Sequence, residues 1–136
     1  MSEFLFTYGT LQPGHAPAEI AQAVNKLRPV GKGVVNGALY DLGDYPGAIL
    51  DPASGRTISG TVFKLANDAN ILRQLDEYEG FDPRAPQESL FLRQLHPVTL
   101  TDGKTKRLNC WVYVYNRKPD PTRLVHSGIY AGRLAG

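Results

Sequence analysis

The stretch VGKGVVNGALYDL, Val30 to Leu42, is a run of strand-forming residues interrupted three times, at Gly31, Gly33 and Gly37. Glycine inside a strand marks a bulge, a sharp bend or a close approach of another backbone. A flat sheet needs few such places, whereas a closed barrel needs them at its corners. The stretch therefore predicts one strongly coiled strand belonging to a barrel.

Reading outward in both directions supplies the other elements. Phe4, Phe6 and Tyr8 alternate onto one face of a first strand, which Gly9 ends. A helix follows, with Pro17 at its first turn and Ile20, Ala21, Val24 and Leu27 at helical spacing, stopping before Pro29. After the coiled strand, GDYPG turns the chain, and strands are predicted at Ala48–Leu50, Thr57–Leu65, Leu90–Leu100 and Leu108–Tyr115, with DPASG and TDGK as turns. A second helix runs from an Asp68 N-cap through Ala69 to Tyr78 or Glu79, with Gly80 as its left-handed end. This order lacks the regular alternation of a doubly wound sheet. It predicts an α+β fold, a small mixed β-barrel of five to seven strands with two packed helices, as a single domain over residues 1–136.

Composition narrows the function classes. The chain has 136 residues, 42% of them hydrophobic, enough for one core. A net charge of +2 from scattered Lys and Arg argues against a nucleic-acid partner, since electrostatic binding needs a broad basic footprint. The densest basic run, Lys104, Lys106 and Arg107, sits beside TDG at an expected hairpin tip. Cys110 is the one cysteine, so no intramolecular disulfide is available, and neither a membrane-length apolar run nor a signal peptide is present. A cytoplasmic protein without a membrane partner is expected. His15, His96 and His126 lack metal-ligand spacing with one another or with Cys110, and no GxSxG-type nucleophile motif occurs, so neither a metal site nor a triad-type nucleophile is expected.

The chemistry concentrates in two short segments. In LDEYEGF, Leu75 to Phe81, three acids precede a glycine. On a helical wheel of about 100° per residue, Glu79 projects between Leu72 and Leu75, inside the apolar arc, Asp76 lies at its border, and Glu77 falls on the polar side. A carboxylate on an apolar face is costly unless paired or protonated, and desolvation raises its pKa toward the range useful for proton transfer. Glu79 is thus the candidate general base, with pairing to Arg84 or Arg93 as the structural alternative. The second segment is YGTLQPG, Tyr8 to Gly14, a strand running into a loop whose backbone N–H groups can form an anion-binding nest.

YGTL, GALYDLGDYPGAI at 37–49, SGTVFKL at 59–65, LDEYEGF, FLR at 91–93 and CWVYVYN at 110–116 occur in an order that resembles the γ-glutamylcyclotransferase-like superfamily, and within it the γ-glutamylamine cyclotransferase-like branch. The resemblance covers about residues 4 to 115. It implies a small barrel with a cavity at its mouth, in which Tyr8, Gly9, Thr10 and Leu11 hold the γ-glutamyl group of a small-molecule substrate through backbone amides and Glu79 acts as acid and base. The implied reaction converts a γ-glutamyl amine or γ-glutamyl-tagged metabolite into 5-oxoproline and the free amine, the work of an amide-cleaving enzyme of acyltransferase or lyase type that needs no cofactor. Tyr113 is a further candidate substrate contact, with its hydroxyl directed into the cavity. Phe91 departs from the family's Tyr-x-Arg pattern, leaving Arg93 as a structural partner for an acid, and nothing carries over from HSGIYAG near the C-terminus. The competing reading is a non-catalytic small-ligand-binding or regulatory module on the same barrel. The face formed by Arg107, Asn109, Trp111, Tyr113 and Tyr115 is expected to turn inward to core and cavity rather than toward single-stranded nucleic acid. The sequence sets no oligomeric state.

Overall fold

The computed structural model describes residues 4–9, 16–66, 69–101 and 106–130. Six strands and two helices follow in chain order: β1 (Phe4–Thr7), α1 (Ala21–Val24), β2 (Arg28–Asp41), β3 (Pro46–Leu50), β4 (Thr57–Lys64), α2 (Ala69–Glu79), β5 (Phe91–Leu100) and β6 (Lys106–Tyr115). The order across the sheet is β3-β2-β4-β1-β6-β5, and β5 pairs again with β2. Five strands therefore close into a barrel, with β3 added to the free part of β2. All pairings are antiparallel except β1 with β6, which is parallel through Leu5 and Trp111. The mixed barrel predicted from the glycine spacing is the observed one.

Strand β2 makes the closure. Its register against β4 slips between Pro29 and Gly31, a bulge that bends the strand. At Gly33 and Val34 it meets Leu100 and Thr99 of β5 while still pairing with β4 on its other edge. A side chain at Gly33 would have no room, because its Cβ would lie 2.8 Å from Val98 Cγ1 and 3.2 Å from the Thr99 carbonyl oxygen. From Gly37 onward the same edge passes to β3, with Gly37 opposite Leu50.

The alternation of side chains along each strand separates two apolar clusters. Phe6, Val35, Ile58, Val62, Val98, Cys110 and Val112 fill the barrel interior. Leu5, Phe63, Phe91 and Tyr113 point outward and pack against Ile20, Val24 and Leu27 of the first helical segment and Ile71 and Leu75 of α2. The odd-numbered face of β6 thus splits. Arg107 and Asn109 are exposed, whereas Trp111, Tyr113 and Tyr115 turn toward the helix-side cluster, outside the barrel rather than into its interior.

Helix α1 is shorter than its apolar spacing predicts, a single turn flanked by hydrogen-bonded turns from Ile20 N to the Pro17 carbonyl and from Leu27 N to the Val24 carbonyl. The strand begins at Arg28, one residue before Pro29, so the chain must leave the helical conformation at once. Helix α2 ends as predicted. Gly80, at φ +73, closes a Schellman motif in which its N–H donates to the Glu77 carbonyl and that of Phe81 to the Asp76 carbonyl. The expected Asp68 cap and the hairpin tip at Lys104 lie outside the described residues. The segment after β6 contains more order than its sequence suggests: Val125 N donates to the Leu39 carbonyl and Ser59 N to the Gly128 carbonyl, tying it across the barrel. No helix is long and apolar enough to cross a membrane, among the described residues.

Replacing Gly33 by Val is expected to destabilise the protein by about 1–3 kcal/mol through overpacking against Val98 at the barrel seam. Chemical denaturation is the check, and a midpoint equal to that of the parent would show that the seam yields without cost.

Candidate active site

A cavity of about 280 Å³ lies between the end of the barrel and the C-terminal turn of α2. Thr7, Tyr8 and Gly9 form one wall where β1 ends, and Tyr45 of the turn before β3 and Pro46, the first residue of β3, form the next. Opposite stand Tyr78, Glu79 and Gly80, with Phe91 and Tyr113 as the floor. Gly9 is packed so closely that a Cβ there would sit 2.9 Å from Pro46 Cγ, which explains why the strand must end in a residue without a side chain. Of the predicted site residues, Glu79, Tyr8, Gly9 and Tyr113 share this one cavity, and Thr10 and Leu11 lie outside the described residues.

Two acids three residues apart on α2 have opposite surroundings. Asp76 is 6% exposed and fully engaged. Arg93 grips it with two hydrogen bonds, Nε to Oδ1 at 2.8 Å and Nη2 to Oδ2 at 3.2 Å, and Tyr113 donates its hydroxyl to Oδ1 at 2.7 Å. The guanidinium in turn lies over the Trp111 ring at 4.4 Å from its centroid, with Phe81 at 5.8 Å. Such a bidentate, stacked arrangement is one that Arg makes and Lys cannot. Arg93 is therefore the structural partner for an acid, and the acid is Asp76. Arg84, the other candidate partner, pairs with Asp82 at the surface.

Glu79 makes no ion pair or hydrogen bond among the described residues, and it is only partly exposed, toward the cavity. Desolvation raises its pKa from 4.5 to about 7. The negative end of α2, whose last residue it is, acts in the same direction. Its charge is felt across the cavity by the hydroxyls of Tyr8 and Tyr113, whose ionisation is pushed upward first by burial and then by neighbouring acids. Both phenols stay protonated. The Tyr8 hydroxyl is occupied on both sides, donating to the Tyr113 carbonyl and accepting from Ala48 N at 3.2 Å, so Tyr8 presents its ring and backbone to the cavity.

Three cavity residues, Thr7, Tyr45 and Pro46, and the buried Asp76 are not singled out by the sequence. Thr7 ends β1 just before Tyr8, and its buried hydroxyl has no hydrogen-bond partner among the described residues. Tyr45 and Pro46 belong to GDYPG, which reads only as a turn. Asp76 was placed at the border of the helix's apolar arc, and the signal for its burial is the cation on β5 that faces it. Among the described residues no three His, Cys, Asp or Glu side chains gather as a metal site.

Residues 5–132 match the model of the family described as "Gamma-glutamyl cyclotransferase, AIG2-like". The chain belongs to this family. Among curated proteins, it is 30% identical over 129 residues to the gamma-glutamylcyclotransferase family protein YtfP of Escherichia coli K12, covering 95% of this chain and 96% of that one. Among solved structures, an AIG2-like protein from Mus musculus superposes with a TM-score of 0.71 at 20% identity, covering 98% of this chain and 92% of the mouse protein. YkqA from Bacillus subtilis superposes with a TM-score of 0.67 at 21% identity over 96% of this chain, which spans 40% of YkqA. The two structures establish the shared fold.

The surroundings of the two acids carry separate expectations. Between its unfolded and folded pKa values Glu79 binds more protons in the native state, so the protein loses stability as pH rises from 4.5 to about 7. Glu79→Gln is expected to match the parent below this window and to exceed it above, by about 1–3 kcal/mol, in denaturation curves recorded across pH; parallel curves would refute a desolvated carboxyl. Arg93→Leu leaves Asp76 buried without its cation and is expected to cost about 3–5 kcal/mol, measured by urea unfolding at neutral pH.

Proposed function

We propose that the protein is a γ-glutamylcyclotransferase acting on a small γ-glutamyl amine or γ-glutamyl-tagged metabolite, releasing 5-oxoproline and the free amine. The observation that carries this reading is Glu79, a desolvated carboxylate with no partner among the described residues and a pKa near 7, sharing one cavity with Tyr8 and Gly9. Family membership supports it, as does the name of the Escherichia coli relative.

The reaction asks little of the protein. The substrate's own α-amine attacks its γ-carbonyl carbon, a five-membered ring closes, and the amide C–N bond breaks. Ring closure is intramolecular, so holding the glutamyl chain folded supplies much of the acceleration through proximity. Glu79 takes a proton from the α-ammonium and returns one to the departing amine nitrogen. A pKa near 7 suits both steps, since a base poised near the working pH both accepts and releases its proton readily. Backbone N–H groups of the Tyr8–Leu11 turn would receive the negative charge that develops on the carbonyl oxygen and hold the α-carboxylate. The closeness of Gly9 to Pro46 keeps Tyr8 and Gly9 against the cavity wall. The rim is aromatic, with Tyr45 and Tyr78 each more than a third exposed, and would lie along the departing amine.

The test is 5-oxoproline release, followed by mass spectrometry, from γ-glutamyl dipeptides, γ-glutamyl-ε-lysine, glutathione and γ-glutamyl polyamines. Activity on at least one is expected, with kcat/KM of the free enzyme rising as pH passes through about 7, where Glu79 loses its proton. Glu79→Gln is expected to lower kcat by about 10²–10⁴-fold while remaining folded. Absence of release from every compound, together with retention of a small ligand by both proteins, would favour a binding module instead.

A further inference from the structure

Three successive residues of β3 meet three different neighbours. Pro46 stands against Gly9, where a Cβ would lie 2.9 Å from Pro46 Cγ. Gly47 rests on β6, since a Cβ there would lie 3.1 Å from Tyr115 Cβ and 2.7 Å from Leu42 Cδ1. Ala48, fully buried, donates its N–H to the Tyr8 hydroxyl at 3.2 Å. That hydroxyl donates in turn to the Tyr113 carbonyl of β6. On one edge β3 pairs with β2, and on the other it has no strand neighbour among the described residues. The phenol therefore stands where a ladder between β3 and β6 would be, and it satisfies one N–H and one carbonyl on buried residues that would be costly to leave unpaired.

These contacts form a closed circuit. The Tyr8 hydroxyl fixes Ala48, Ala48 lies two residues beyond Pro46, and Pro46 backs Gly9, the residue that follows Tyr8. Resting on the cyclotransferase reading, we infer that Tyr8 is a positioning residue whose hydroxyl seats β3 on β6, so that Pro46 sets where the turn beginning at Gly9 presents its N–H groups to the substrate's γ-carbonyl oxygen. The hydroxyl itself serves the protein, its proton being given to Tyr113. Negative charge on the carbonyl oxygen develops in the transition state, so a turn held in advance acts on turnover more than on substrate binding. Without the hydroxyl, β3 loses its tie to β6 and the turn loses its backing.

Steady-state kinetics of 5-oxoproline release, on whichever γ-glutamyl compound the wild-type protein turns over fastest, test this. Tyr8→Phe, which keeps the ring, is expected to lower kcat about tenfold or more, with KM changed less than about threefold. Gly47→Ala alters a residue that does not line the cavity and crowds β3 off Tyr115, and the same loss is expected from it. Both act through one seat, so the double variant is expected to lose no more than about threefold beyond the more severe single. Gly33→Val loosens the barrel seam without touching this circuit and is expected to keep kcat within about twofold, which a merely structural role for Tyr8 would not distinguish. No release by the wild type from any compound would overturn the cyclotransferase reading. An active wild type with folded Tyr8→Phe losing less than tenfold in kcat, or losing no more than Gly33→Val, would overturn the inference alone. Losses that multiply in the double variant would overturn the route through β3. Should Tyr8→Phe not fold, Gly47→Ala decides, an unchanged kcat overturning the inference.

Discussion

The pairing of β2 with β5 at Gly33 and Val34 is the constraint on which the remaining structure rests. Without it the six strands are an open sheet with two free edges. With it, five of them acquire an inside and an outside, and each strand's alternation then assigns its residues to one or the other. Cys110 and Val112 enter the interior cluster, and Trp111 and Tyr113 turn to the helix side. The cavity is a product of that second assignment. It occupies the space between a barrel whose diameter is set by five strands and a helix that covers only part of the outer surface.

At the cavity the physical contrast is between Glu79, which lines it, and Asp76, a second carboxylate on the same helix that does not. Asp76 is buried more deeply than Glu79, yet it is the one whose charge is compensated, by a guanidinium and a phenol. Glu79 has neither, so its environment favours the neutral form at acidic pH and lets the charge appear only near neutrality. Burial alone therefore does not identify the acid with the raised pKa; missing compensation does. The Schellman turn at Gly80 contributes to this, because it ends the helix immediately after Glu79 and leaves the carboxylate beside unfavourably oriented carbonyl groups.

Much of this was legible before any coordinates. The glycines of Val30–Leu42 indicated a coiled strand, and the bulge at Pro29–Gly31 and the crossing at Gly33 are where backbone crowding requires them. Strand boundaries agree within a few residues because turn-forming sequences separate them. The helical wheel selected Glu79 from a purely local period, and the chain folds locally enough at α2 for that to hold. What the wheel could not resolve was Asp76, since its burial depends on Arg93, seventeen residues away on another element. The same limitation applies to Tyr45 and Pro46, which form a cavity wall only because β3 pairs back onto β2. Helix α1 was overestimated because apolar spacing does not report how soon a neighbouring strand must begin.

The mouth of the cavity lies on two segments that the barrel does not depend on. Tyr45 sits in a turn and Tyr78 on the outward side of α2, and neither belongs to the interior cluster. Replacements at these positions alter what approaches the opening while leaving the seam at Gly33, the Asp76–Arg93 pair and Glu79 as they are. Mutational drift can therefore change the opening at little thermodynamic risk. A scaffold so divided is evolvable: the lining of its mouth can change by single steps, with the desolvated Glu79 and its surroundings inherited intact.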